Sequence, residues 1–140
     1  METSRVSHGL LPDDVLSAIL TVAKEESGKK SEDRFSFRGH DSRLQEVFYQ
    51  LGREFDSPFV QEFVFSDRGP RPYSPILNES VSRLQLAGLL GRENPDYEVL
   101  FLHQAADHYF KDVLDAKLTD EERAQLRKIA RRLLELLKPL

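Results

Sequence analysis

The sequence predicts an α+β fold, mostly helical, with a small β-hairpin. Three observations carry this. Five stretches repeat apolar residues at helical spacing, several between recognisable capping residues. Two short segments, around Phe35/Phe37 and Phe63/Phe65, place phenylalanines two residues apart, as a strand does. A pair of short apolar runs flanks Asn94, Pro95 and Asp96, residues that favour a tight turn.

Residues 1–9 lack any apolar period and are expected to form a disordered terminus. Pro12 suits the first position of a helix, where a missing N–H costs nothing. Asp13 and Asp14 follow in the first turn, near the positive end of the helix dipole. Val15, Leu16, Ile19, Val22 and Ala23 give one buried stripe, and Gly28 is the natural stop. Residues 34–38 read as a short strand or extended arm. Ser42 and Gln45 have the form of a capping box for a second helix, whose stripe is Leu44, Val47, Phe48, Leu51 and Phe55. Pro58 ends it, because the residue before proline avoids the helical region.

Residues 61–66, aromatic and β-branched, read as a strand. Ser74 and Pro75 then open a third helix as N-cap and first residue. Its inner stripe is Leu77, Val81, Leu84 and Gly88, with Gly88 expected to pack inward and Gly91 to close the helix. Residues 89–93 and 97–102 form the hairpin. Residues 104–114 are helical. Thr119 and Glu122 make a second capping box for the last helix.

The order is helix, extended piece, helix, strand, helix, hairpin, and within it helix–helix–strand–helix–hairpin is the layout of a winged helix, a three-helix core carrying a β-hairpin wing. That core is expected over residues 10–103. Residues 104–140 then supply C-terminal helices that pack on it or mediate dimerisation.

Three groups of residues also resemble a known family. Arg38 and Gly39 followed by Arg43, Leu44, Gln45, Phe48 and Tyr49 resemble its second helix. Phe63, Val64, Phe65, Gly69, Pro70, Tyr73, Ser74 and Leu77 resemble its "F-x-F … G-P-Y-S-x-x-L" block, here with Arg71 and Pro72 inserted. Leu84, Gly88, Leu89 and Leu90 resemble the lead from its recognition helix into the wing. The chain thus resembles the prokaryotic winged-helix proteins that include the Panacea (SocA-like antitoxin) domain, over residues 10–102. The resemblance implies a regulatory or antitoxin-type binding module, not an enzyme.

Composition narrows the chemistry. There is no cysteine, which excludes disulfides, thiolate metal sites and thiol nucleophiles. No apolar run reaches the roughly 18–20 residues of a membrane span, and the N-terminus lacks the pattern of a signal peptide, so a cytoplasmic protein is expected. His103, Asp107 and His108 do not share one helix face, and no metal or other cofactor is expected. No glycine elbow or phosphate-cradling loop marks a catalytic centre.

Two binding surfaces remain as candidates. On the third helix Asn78, Ser82 and Arg83 can face a DNA groove, with Arg68, Arg71 and Arg92 meeting phosphates. Charge opposes this, since residues 66–103 carry four basic against five acidic side chains within a chain of net charge −4. On the last helix Leu126, Ile129, Leu133, Leu136 and Leu137 recur by three and four, an expected homodimer seam. The leading expectation is a small prokaryotic winged-helix regulatory or binding module, a homo-oligomer with duplex DNA or a partner protein as candidate partner. The alternative is an antitoxin-like adaptor that binds a partner protein and no DNA.

Overall fold

The computed structural model describes residues 9–38, 41–93 and 98–140. The expected turn at Asn94, Pro95 and Asp96, with Tyr97, lies outside these residues, as does the expected disordered terminus except Gly9. The helices are α1 (Pro12–Glu26), α2 (Asp41–Glu54), α3 (Pro58–Gln61), α4 (Pro75–Leu86), α5 (Gln104–Tyr109) and α6 (Asp120–Leu137). The strands are β1 (Phe35–Arg38), β2 (Leu90–Arg92) and β3 (Val99–Leu102). They form one antiparallel sheet in the order β1-β3-β2. The fold is α+β and mostly helical, as the sequence predicts.

Helix α1 is the axis of the molecule. Every residue from Val15 to Lys24 is buried, polar Ser17, Thr21 and Lys24 included. The sequence shows one apolar stripe, yet the helix is covered all round, chiefly by α6 and α4, with α5 and the following turn closing the remainder. Ser17 and Thr21 are small enough to enter these interfaces, and their hydroxyls find no hydrogen-bond partner there. Each buried Val, Leu or Ile of this helix contributes about 1.5–3 kcal/mol. Gly28, at φ +88°, ends α1 as expected.

The sheet packs one face on this core. Phe35 lies opposite Leu102 and Phe37 opposite Leu100, and all four are buried. The other face carries Phe101, which lies beside Gly91 of β2 and under the guanidinium of Arg34, 4.3 Å from the ring centre. A Cβ on Gly91 would stand 2.4 Å from that ring. Gly91 lies in β2, paired with Phe101, and is a strand residue and not the helix stop. The stop is Gly88, at φ +80°, exposed and with nothing within 4 Å of a Cβ built on it, so it does not pack inward.

Two further expectations change. Residues 61–66 are not a strand. Ser57 caps α3 by accepting from the Phe59 N–H, and Pro58 occupies the first turn, so the signal that ends α2 also starts another helix. Of these residues only Ser66 is β-paired, in an isolated bridge with Tyr73. Gln45 does not serve a capping box either. Its side chain accepts from Ser74 N–H at 2.7 Å and donates to Ser74 C=O at 3.0 Å, seating the start of α4 on α2.

After Tyr109 the expected single helix loosens into a π-helical turn, Phe110–Leu114, and a 3-10 turn, Asp115–Lys117. The Thr119–Glu122 capping box then starts α6 with both reciprocal bonds in place. Lys138, at φ 54°, ends it and turns the chain back. The Leu140 N–H then donates to Ser36 C=O at 2.8 Å, on the open edge of β1. The Arg43 guanidinium bonds the Leu136 carbonyl, tying α2 to the same end of α6.

Candidate functional site

Helix α4 starts at a satisfied cap. Ser74 accepts from Leu77 N–H, and Leu77, Ser80, Val81 and Leu84 point into the core. At about 100° per residue, the line directly opposite is Pro75, Glu79, Ser82 and Leu86. All four are exposed, and Leu86 is 89% exposed, the most of any large apolar side chain among the described residues. This central line carries one carboxylate and no base.

The expected DNA-reading residues flank that line on opposite sides. Asn78 and Arg83 stand about 140° apart around the helix, and Asn78 is half-buried. The arginines also turn to different elements. Arg83 reaches Asp13 of α1 and Glu79 of its own helix, both at 3.3 Å. Arg71 pairs with Glu46 of α2 at 3.5 Å. Arg92 donates to Gln85 at the end of α4, at 3.2 Å. Arg68 is exposed in the turn between Ser66 and Tyr73. Ser82 alone of the set sits on the central line.

The residues of the expected dimer seam lie inside the chain. Leu126, Ile129, Leu133 and Leu137 are buried, and Leu136 is half-buried. Helices α1 and α2 fill the seam that the spacing offers to a second copy. A repeat by three and four is the same whether the partner helix is internal or external, which is why the sequence alone leaves both readings open.

The sequence does not reveal an ion pair in the core. Lys24 Nζ lies 2.7 Å from Asp107 Oδ2, with the two side chains 1% and 2% exposed. The same ammonium donates to the Ser31 carbonyl at 2.7 Å, so it locks the end of α1 to the loop after it and to α5. His103 stands away from this pair, edge-on to the Phe101 ring at 4.8 Å. Among the described residues no three acidic or histidine side chains are grouped as a metal would need.

A cleft of about 90 Å³ is lined by Val22, Glu25, Phe110, Asp115, Arg123, Leu126 and Arg127. Burial raises the Glu25 carboxyl above its usual range, opposed by the Lys111 charge. Arg123 closes the cleft by bonding Asp115 at 2.8 Å. Across the molecule, Glu54 accepts from Arg132 and Gln50, which pulls its pKa down to about 2. Tyr109 is pushed up to about 12 by burial and by its 2.8 Å bond to Asp14.

The exposed Leu86 is legible in the sequence, since it falls half a turn away from the Leu77, Val81, Leu84 stripe. The pairs Arg83–Asp13 and Lys24–Asp107 are not, because they join residues 70 and 83 positions apart. Compared with protein families, with curated proteins and with solved structures, the chain matches none.

Proposed function

We propose that this chain is a winged-helix binding module that acts as a protein-docking adaptor through the outer face of α4. The element order supports the winged-helix reading: helix α1, strand β1, helices α2 to α4, then β2 and β3 as the wing beside β1. The observation that carries the docking reading is the composition of the α4 line. A line with one carboxylate and no base suits a protein surface, whereas a duplex needs uncommitted positive charge there. Arg83 and Arg71 already neutralise carboxylates of this chain, and contact with phosphates would break those pairs.

Fluorescence anisotropy with a mixed-sequence 20-base-pair duplex tests the choice. At 50 mM salt the adaptor predicts no binding below about 100 µM, outside the usual non-specific range at physiological salt. Binding that weakens tenfold or more at 200 mM salt, and that is lost in Arg83→Ala, would favour a DNA-binding regulator and overturn the proposal.

A further inference from the structure

A second surface lies along α2. Two cavities open on it, one of about 260 Å³ beside Ser42, Gln45 and Glu46, the other of about 230 Å³ beside Tyr49, Gly52 and Arg53. These six positions recur by three and four, so they form one face of the helix. The facing wall is the segment 63–73, folded back on itself by the Ser66–Tyr73 pair, whose two backbone bonds are 2.8 and 2.9 Å. Pro70, Pro72 and Tyr73 line the first cavity, and Val64 and Phe65 the second. Tyr49 meets Phe65 edge-on at 5.5 Å. Val64 is 59% and Tyr73 43% exposed.

We infer that this groove docks an extended peptide of a partner protein, with apolar side chains in the two cavities and an acidic residue at the Arg53 end. Charge sets the polarity. At one end Arg71 and Glu46 neutralise each other at 3.5 Å. At the other, the exposed Arg53 guanidinium lies 5.7 Å from the Tyr49 ring centre, and among the described residues no carboxylate pairs with it. The face from position 42 to 53 is about 16 Å long, which matches about five extended residues. Each cavity is smaller than the roughly 300 Å³ at which small-molecule pockets begin, a size that suits side chains. A single-stranded nucleic acid would need open ring faces. Here Tyr49 is edge-on to Phe65 and shares a face with Arg53, and Glu46 stands in the path of the phosphates.

Random heptapeptides displayed on phage and selected on the intact chain test this directly. Selection is expected to yield apolar residues followed or preceded by Asp or Glu at one fixed end. A synthetic peptide of that consensus should bind at least tenfold more weakly to Arg53→Glu. It should lose measurable binding to Val64→Asp. Both positions are exposed, so circular dichroism should report an unchanged fold in each variant. No enrichment over a blank surface, a consensus with a basic end, or equal binding to both variants would overturn the proposal. So would tight binding of a fluorescent ten-nucleotide poly-dT that Val64→Asp abolishes. None of these results bears on the α4 face.

Discussion

Removing Lys24 tests how the core is held together. Its ammonium is sealed between Asp107 and the Ser31 carbonyl, each 2.7 Å away. Lys24→Met removes the positive charge and leaves the Asp107 carboxylate buried without a counter-ion, which costs about 3–5 kcal/mol. A domain of this size has a total stability of about 5–15 kcal/mol. With an unfolding entropy of about 0.3 kcal/mol/K for 140 residues, the melting temperature falls by about 10–17 °C. Replacing both charges, Lys24→Met with Asp107→Leu, removes the stranded carboxylate. That variant should return to within about 1–3 kcal/mol of the parent, the remainder coming from the unpartnered Ser31 carbonyl. Calorimetry of the parent, both single variants and the double variant gives the coupling directly. A Lys24→Met melting point within 3 °C of the parent would be incompatible with a sealed pair. So would a double variant as unstable as the sum of the two singles.

Two glycines separate clash from backbone strain. Gly91→Ala drives a methyl into the Phe101 ring and should cost about 1–3 kcal/mol in urea unfolding, with shifted Phe101 ring resonances as the ring leaves Arg34. Gly88→Ala meets no neighbour and should cost about 1–2 kcal/mol from its left-handed backbone alone, with those resonances unmoved. Tyr109 should titrate late. An absorbance titration at 295 nm of the four tyrosines should show one midpoint near 12, absent in Tyr109→Phe. Because its folded pKa lies above the unfolded value of 10.0, stability from this group is complete below pH 10 and is lost as pH rises toward 12. Four midpoints near 10 would contradict the burial and the bond to Asp14.

Much of the fold is written in local signals. Thr119 and Glu122 start α6, Ser74 and Pro75 start α4, and Gly28 ends α1, each through bonds made within a few residues. Where the reading differs, the deciding contact is distant or the signal serves two purposes. Ser57 and Pro58 both end α2 and begin α3, so residues 61–66 belong to a helix end and turn. Gly88 and Gly91 are alike in sequence, and only the pairing of Gly91 with Phe101 of β3 puts one of them in a strand. Gln45 has the spacing of a cap yet bonds Ser74, 29 residues away. Two of the arginines around α4 pair with Asp13 and Glu46, distant partners that the sequence does not show. The leucines of α6 repeat as they would for an internal or an external partner, and here α1 covers most of them.

The proposed function rests on α4 presenting the exposed line Pro75, Glu79, Ser82 and Leu86 to a protein. A photo-crosslinking residue placed at Leu86 in cells that naturally make this chain probes that face, with the exposed position Lys128 on α6 as control. Docking through α4 predicts a discrete protein adduct from position 86, resistant to nuclease, absent from position 128, and reduced at least tenfold by Glu79→Lys. A nuclease-sensitive adduct at position 86, or the same adducts from both positions, would rule it out.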